Sequence, residues 1–179
     1  AFSLILGKAT QAFDMKQEDP RTVDKYGGGL GQSLLTARRL CEVGCGFVAV
    51  SLQGWDMHGN VAGGMNSRGP QVDRAVSAFV SDIHQRGLDK NILLVISGEF
   101  GRTPRINKNA GRDHWGPLST LALAGGGLNM GQVIGRSSPK AEVPAGGKVD
   151  PQQLMATVFH VLGIERETSF DDPAGRPIP

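Results

Sequence analysis

The sequence predicts an α/β fold in which helices cover both faces of a mostly parallel β-sheet. Three short apolar runs, at 47–52, 92–97 and 119–124, have the length and composition of strands buried on both faces. Apolar residues recur at helical spacing in 31–43 and 68–86, ahead of the first and second runs. Helices that alternate with apolar strands in this way are typical of a parallel sheet packed between two helical layers.

Further elements are predicted on both sides of these runs. They are a helix over 1–18, an edge strand at 132–135, a loop over 137–148, a helix over about 151–162 and an irregular tail over 165–179. The start of the last helix has the clearest local signal in the chain. Asp150 suits its N-cap, and Pro151 suits its first position because that position needs no backbone N–H.

Size and composition limit the class of protein. A chain of 179 residues can bury one sizeable core, so residues 1–179 are predicted to form a single domain or a large part of one. The net charge of +2 and the scattered basic residues argue against a nucleic-acid or membrane-surface partner. No apolar stretch approaches the ~20 residues of a membrane span. The chain does not begin with Met, so we expect it to start inside a longer protein.

The glycines and the cysteines each suggest a local role. The 26 glycines lie between apolar runs, which indicates tight turns and close backbone approach rather than a flexible linker. Cys41 and Cys45 are four positions apart, which is neither a redox CxxC pair nor a zinc-ribbon pair. We interpret them as two half-buried thiols, with a local disulfide as the alternative.

Polar residues on three loops are predicted to meet at one edge of the sheet. In an open parallel sheet, ligands bind beyond the carboxyl ends of the strands. Two of these loops follow the strands at 47–52 and 92–97, and the third precedes the strand at 119–124. The residues that these loops bring to the edge are Asp56, His58, Glu99, Arg102, Arg112 and His114.

The residue types at this edge predict a metal site that binds an anionic substrate. Asp-x-His, as in Asp56 and His58, places one oxygen and one nitrogen ligand around zinc or a similar divalent ion. Mixed histidine and carboxylate ligands favour zinc, then manganese or iron, with calcium a weaker candidate. Arg102 and Arg112 have the planar donors that grip phosphate or sulfate oxygens, where they would stabilise the charge that develops during reaction.

Each of these residues also has a purely structural interpretation. Asp56 could close an Asx-turn, Glu99 could be a solvated loop carboxylate, and His114 could pack within its loop. His84 and His160 lie inside helical patterns, and we interpret both as structural. The metal interpretation is favoured because three separate loops are expected to reach the same edge.

Three motifs resemble the signature segments of a bacterial family, domain-of-unknown-function family 1501. They are Gly54-Trp-Asp-Met-His-Gly59, Gly98-Glu-Phe-Gly-Arg-Thr-Pro104 and Gly111-Arg-Asp-His-Trp115. Flanking segments are similar too: the stretch from Tyr26-Gly through Ala37-Arg-Arg-Leu40, Ala124-Gly-Gly-Gly127 with Gly131-Gln-Val-Ile-Gly135, and Gly175-Arg-Pro177 near the end. The resemblance therefore spans nearly the whole chain.

The resemblance implies a fold, an activity and a location. That family is grouped with the alkaline phosphatase and sulfatase superfamily, which implies a three-layer α/β/α sandwich and a one- or two-metal site. The implied activity is hydrolysis of small-molecule phosphate or sulfate esters, and the implied location is periplasmic or secreted. Asp56 and His58 resemble the superfamily's Asp and His after a central strand. Glu99 resembles the carboxylate after the next strand, and His114 resembles a later-loop His.

Two departures from the superfamily pattern change what is expected of this chain. Phe100 stands where the superfamily has a His, beside the carboxylate. The superfamily's first Asp ligand and its nucleophile come from an N-terminal half that has no counterpart here. We therefore expect activity only with that half present. We also expect self-association, or a partner, at the sheet edge that the missing half would leave open.

Two other functions remain open at this point. A non-catalytic binding or export-associated domain that keeps the fold is favoured by the missing His. A dinucleotide-binding domain is suggested by Gly125-Gly-Gly-Leu-Asn-Met-Gly131 after a strand, although the spacing is not G-x-G-x-x-G.

Overall fold

A computed structural model describes residues 7–165 and 167–178. The helices are α1 (Lys8–Ala12), α2 (Pro20–Tyr26), α3 (Leu30–Glu42), α4 (Val61–Gln85) and α5 (Pro151–Val161), with a 3₁₀ turn at Met15–Gln17. The strands are β1 (Leu93–Ile96), β2 (Gly101–Arg102), β3 (His114–Trp115), β4 (Ala122–Gly125), β5 (Arg136–Ser137), β6 (Pro144–Gly146), β7 (Phe170–Asp171) and β8 (Pro177–Ile178).

The predicted mostly parallel sheet, and with it the three-layer α/β/α sandwich, is wrong for the part of the chain that the structure describes. The strands form four separate antiparallel pairs there, β1–β4, β2–β3, β5–β6 and β7–β8. The connection from β1 to β4 supplies the physical reason. Parallel neighbours need a long crossover, usually a helix, and residues 97–121 contain no helix. The chain therefore returns beside β1 in the opposite direction.

Two other predicted strands are also wrong. Residues 47–52 have no regular secondary structure, and the side chain of Phe47 is 79% exposed. Apolar composition makes a strand only where a neighbouring strand accepts its hydrogen bonds. The edge strand predicted at 132–135 is absent as well, since Gly131 and Gly135 both adopt positive φ and turn the chain there.

The helices at 31–43 and 151–162 are confirmed, as α3 and α5. The capping signal of α5 is present in full. The Asp150 carboxylate accepts a hydrogen bond from Gln153 N at 2.9 Å, and the Gln153 side chain accepts one from Asp150 N at 3.0 Å. This reciprocal pair satisfies backbone donors that the first turn of a helix otherwise leaves free. A capping box needs only four consecutive residues, which is why the sequence predicts it well.

The helix predicted at 68–86 is confirmed but begins earlier, at Val61. Asn60 adopts a left-handed conformation (φ 43°), and its side chain accepts a hydrogen bond from Gly63 N at 3.2 Å. The glycines at 59–64 read as turn residues in the sequence, so the prediction missed the first two turns. Among the helices in the described part of the chain, none has both the length and the apolar character needed to cross a membrane.

The single helix predicted over 1–18 is wrong where it can be compared. Residues 1–6 lie outside the described residues, and α1 ends at Ala12 before the separate 3₁₀ turn. Cys41 and Cys45 are free, half-buried thiols, as interpreted from their spacing.

The apolar core lies between α2, α3 and α4, with the chain just before β1 packed against it. Its buried members are Tyr26, Leu34, Leu35, Ala75, Phe79, Ile83 and Ile92. On α3 the buried members are the adjacent Leu34 and Leu35. On α4 they are Ala75, Phe79 and Ile83, which recur every four residues and so form one stripe of that helix. The largest part of the buried core is therefore helical rather than a sheet.

A buried charge network fastens the helices to one another. Arg38, on α3, has a side chain only 1% exposed. Its Nη2 donates to Glu18 Oε2 at 2.5 Å, its Nη1 donates to Glu42, and its Nε lies 3.0 Å from Asp82 Oδ2. The last contact is an ion pair without hydrogen-bond alignment. A guanidinium this deeply buried is stable only when carboxylates surround it.

Glu18 is the carboxylate most enclosed by this network. It also accepts hydrogen bonds from Arg39 Nη1 at 3.1 Å and from Arg86 Nη2 at 2.9 Å. Burial raises the pKa of the Glu18 carboxyl, but hydrogen bonds and charge from the arginines outweigh burial. The net pKa of Glu18 therefore lies below its usual value. Tyr26 joins the network by donating its hydroxyl to Asp82 Oδ2 at 2.9 Å.

We predict that Glu18→Gln lowers the free energy of unfolding by about 3 kcal/mol at neutral pH, since it leaves buried arginine charge unpaired. The folded-state pKa of Glu18 is depressed, so its contribution is present above the unfolded-state pKa and is lost as pH falls through the folded value. Urea unfolding at several acidic pH values should therefore show a shallower loss of stability in Glu18→Gln than in the wild type. Glu165→Gln, at an exposed carboxylate, is the matched control. Parallel pH profiles for wild type and Glu18→Gln would contradict the prediction.

Candidate metal centre

Two loops and a short strand pair bring the candidate residues together. Asp56 and His58 lie in the irregular segment before α4, and His114 begins β3. In the β2–β3 ladder Arg102 is paired directly with His114, which places these two side chains beside each other. The cluster is therefore assembled by loops and an antiparallel strand pair, and not by the edge of the predicted parallel sheet.

Backbone hydrogen bonds join the loop before β3 to the start of α4. Val61 N donates to Ala110 O at 2.8 Å, and Arg112 N donates to Met57 O at 3.0 Å. Asn107 strengthens the same contact, because its side-chain amide donates to the carbonyl of His58 at 3.0 Å. The two loops therefore hold fixed positions relative to each other.

The close approach of these loops requires glycine at position 111. A Cβ atom on Gly111 would overlap the backbone of His58 and Gly59. By contrast, a Cβ atom on Gly116 would meet nothing within 4 Å. The sequence signal was present in the Gly111-Arg-Asp-His-Trp115 motif, but only the structure shows what the glycine permits.

Asp56, His58 and His114 form a compact triangle of potential metal ligands. Asp56 Oδ1 lies 3.0 Å from His58 Nε2 and 3.0 Å from His114 Nε2. The two Nε2 atoms are 3.2 Å apart. Each of the three side chains is about half exposed, between 46% and 64%, so a ligand can reach the triangle from solvent.

Hydrogen bonding between a neutral His58 ring and Asp113 leaves the contact between His58 Nε2 and Asp56 without a proton to share. His58 Nδ1 lies 2.7 Å from Asp113 Oδ1, and hydrogen bonds from His58 and Asn107 hold the pKa of Asp113 below its usual value. Because an ionised carboxylate only accepts, His58 Nδ1 carries the proton and the Nε2 of a neutral ring presents a lone pair. That lone pair faces the Asp56 carboxylate at 3.0 Å. A second proton on the ring, or a bound cation, would each make this contact favourable.

Asp56 is ionised throughout the neutral range. A hydrogen bond with His114, and next the adjacent Arg102 guanidinium, lower the pKa of Asp56 to about 2. Arg102 Nη1 is 2.6 Å from Asp56 Oδ1, close enough for charge attraction although not aligned for a conventional hydrogen bond. A carboxylate that stays charged is the form that binds a metal ion.

Glu99 and Arg112 occupy different positions from the triangle. Glu99 is exposed on the bend after β1, and the group of ligating atoms found in residues 7–165 and 167–178 does not include it. Arg112 Nη1 donates to Thr103 O at 2.5 Å and to Pro104 O at 2.7 Å. That atom of Arg112 therefore supports the loop after β2. Phe100, where the superfamily pattern has a His, packs its ring 4.4 Å from the His114 ring.

Asp113, Asn107 and Gly111 contribute to the centre although their residue types and spacing do not predict it. Asp113 precedes His114 in the sequence motif, but its partner in the structure is His58. No spacing rule predicts this pairing, since the two residues are 55 positions apart. His84, interpreted as structural, lies on α4 with its ring nitrogen 3.3 Å from Asp89 Oδ2, outside the centre.

We predict that Gly111→Ala destabilises the fold by about 1–3 kcal/mol, because the added methyl group must push the backbone at His58 away. Gly116→Ala, the matched control, should change the free energy of unfolding by about 0.5 kcal/mol or less. Urea unfolding followed by circular dichroism measures both values. Equal effects of the two substitutions would show that the loops are not packed as described.

Comparison with known proteins identifies the family. The family described as "Protein of unknown function (DUF1501)" matches residues 1–179, which is the entire chain. No curated protein and no solved structure gives a significant match. The motifs around Asp56, Glu99 and His114 lie within the matched region, in agreement with the resemblance seen in the sequence. The chain therefore belongs to the DUF1501 family of proteins of unknown function.

Proposed function

We propose that Asp56, His58 and His114 bind one divalent metal ion, zinc in the first instance, and that the protein is a metal-dependent hydrolase of phosphate or sulfate esters. The observation that carries the proposal is the triangle of ligand atoms with sides of 3.0, 3.0 and 3.2 Å. Within it, His58 Nε2 and Asp56 Oδ1 lie 3.0 Å apart, so a cation bound there would contact both. The motif resemblance to the alkaline phosphatase and sulfatase superfamily supports the choice of reaction.

The size of the triangle fits zinc. Zinc bonds to nitrogen and oxygen of roughly 2.0–2.2 Å, at tetrahedral angles, separate neighbouring ligand atoms by about 3.3–3.6 Å. The sides of the triangle, at 3.0, 3.0 and 3.2 Å, are slightly shorter, so a small outward movement of the side chains would accommodate the ion. Two nitrogens and one oxygen also suit zinc, manganese or iron better than calcium, which prefers six or more oxygens. Three protein ligands that face solvent are the usual arrangement of a catalytic zinc site.

The surrounding residues have distinct proposed roles. Asp113 accepts from His58 Nδ1 and so fixes which nitrogen of that ring faces the site. Arg102, beside Asp56, is the better placed of the two arginines to hold a phosphate or sulfate oxygen, because Arg112 Nη1 is already bound to two carbonyls. When bound, the metal supplies Lewis acidity at the ester and lowers the pKa of water.

The overall reaction is addition of water across the ester. The bond between phosphorus or sulfur and the alcohol oxygen breaks, the attacking oxygen forms the new bond, and the leaving oxygen takes a proton. Arg102 donors would stabilise the charge that builds on the remaining oxygens. The superfamily resemblance implies that the nucleophile precedes the residues numbered here, so we propose that hydrolysis needs that longer chain.

A non-catalytic binding domain is the second candidate. It is favoured by the position of Glu99 outside the triangle and by Phe100 beside His114, an arrangement that leaves a second metal without obvious ligands. The dinucleotide-binding alternative loses its support, since residues 128–135 form no helix whose N-terminus could face a phosphate.

Export to the periplasm or outside the cell stays a prediction from resemblance, and so does self-association. The two-stranded β1–β4 sheet presents two partly exposed apolar side chains, Val95 and Ile96 at 37% each, and Leu121, just before β4, is 40% exposed. Pairing of this sheet with another chain would cover such side chains. This feature is consistent with the proposed self-association.

We predict that the metal-free protein binds about one equivalent of zinc in a calorimetric titration. His58→Ala and His114→Ala should each weaken binding at least about 100-fold, and Asp113→Ala about 10- to 100-fold because it frees the His58 ring. His84→Ala is the matched control, since its side chain is 79% exposed and lies outside the centre. A folded wild-type protein that binds no zinc would refute the metal proposal.

Hydrolysis is tested on the full-length gene product loaded with zinc, using 4-nitrophenyl phosphate and 4-nitrophenyl sulfate. We expect release of nitrophenol that is lost in His58→Ala. Arg102→Ala should lower kcat/KM about 100-fold, in line with loss of one charge-stabilising donor. Arg105→Ala, at an exposed neighbouring arginine, should leave kcat/KM unchanged. Stoichiometric zinc without turnover of either ester would favour the binding domain instead.

A further inference from the structure

A cavity of about 290 Å³ adjoins the metal centre. Its lining residues are Trp55, Met57, Val61, Met65, Arg102 and Arg112. Four of these six side chains are apolar. Because Met65 is 46% exposed, the cavity is open to solvent on one side. It is therefore accessible to a small molecule.

The backbone between Trp55 and His58 separates the cavity from the ligand triangle. Met57 N donates to Trp55 O at 2.9 Å, and His58 N donates to Asp56 O at 3.2 Å. Hydrogen bonds between residues two apart are those of γ-turns, and they hold the backbone of this segment. Asp56 and His58 meet at the triangle, while Trp55 and Met57 line the cavity. One segment of four residues supplies both surfaces.

Gly64 leaves space for the side chain of Met57. A Cβ atom on Gly64 would collide with the side chain of Met57, so the glycine lets Met57 lie against the first turn of α4. Val61 and Met65 are four residues apart on that helix and form the facing wall. The cavity is thus built by the start of α4 on one side and the segment from Trp55 to His58 on the other.

Arg102 connects the two surfaces. Its side chain lines the cavity, while its Nη1 lies 2.6 Å from Asp56 Oδ1 in the triangle. A substrate whose charged end is bound at the triangle would therefore have its organic end beside the cavity. Oxygen atoms of the charged end and the first carbon atoms of the organic end would lie on either side of one guanidinium group.

We propose that this cavity binds the organic part of the ester and selects an aryl group of about one substituted ring. The inference rests on the proposed function for the position of the charged end. A cavity of roughly 150 Å³ is large enough for benzene, whereas drug-sized ligands occupy about 300–1,000 Å³. At about 290 Å³ the cavity suits one ring with a substituent. Indole, thioether and guanidinium groups all make favourable contacts with an aromatic face.

The cavity is tested without metal or catalysis, by titrating metal-free protein with phenol. The readout is the NMR signal of the Trp55 indole N–H, assigned by its presence in Trp115→Phe, since the chain has two tryptophans. We expect a saturable shift of the Trp55 signal. Met65→Gln should weaken phenol binding about tenfold, because an amide replaces an apolar wall. Met130→Gln, at a methionine of similar exposure (49%) outside the cavity, should leave binding unchanged.

A second measurement compares phenyl phosphate with methyl phosphate on the zinc-loaded full-length protein. Met65→Gln should raise KM for phenyl phosphate about tenfold and leave KM for methyl phosphate unchanged. Each ester is compared between variant and wild type, so the difference in leaving group between the two esters does not affect the result. No shift of the Trp55 signal by phenol, or equal effects of Met65→Gln on both esters, would overturn the inference. Phenol binding that depends on Met65, with no hydrolysis of either ester, would keep the cavity and overturn the proposed hydrolase instead.

Discussion

The buried charge of Arg38 is the constraint around which the rest of the structure is arranged. Its guanidinium is almost fully enclosed, so the chain must bring carboxylates from three separate segments to it: Glu18, Glu42 and Asp82. Satisfying this charge fixes α3 against α4 and fastens the preceding segment to both. The apolar stripe of Leu34, Leu35, Phe79 and Ile83 then packs on the same helices. Charge pairing and apolar burial act on the same interface.

The metal centre depends on this helical base through the first turn of α4. Asn60 caps that turn, and the loop ending at Arg112 is hydrogen-bonded to the same part of the chain. Gly111 allows the two backbones to touch. The first turn of α4 therefore supports both the segment that carries His58 and the loop that leads to His114. The same part of α4 also carries one wall of the cavity, so the proposed aryl site and the proposed metal site share one support.

The sequence and the structure agree where the deciding interactions are short-range. The capping box at Asp150, the helix over 30–42 and the free cysteines all follow from residues within one or two turns. Agreement fails where a partner strand decides the outcome. Residues 47–52 have the composition of a strand but no strand pairs with them, and β1 accepts an antiparallel neighbour because no crossover helix precedes β4.

By itself, the sequence determined which chemical groups are available, Asp56, His58 and His114 among them, and which residues cap and turn the chain. Only the tertiary structure decided which groups meet. It placed Asp113 on His58, left Glu99 exposed, and committed Arg112 to backbone carbonyls while Arg102 faces Asp56. The physical reason is range. A helix cap is settled by neighbours a few residues away, whereas the contact between His58 and Asp113 spans 55 positions and forms only after the loops have packed.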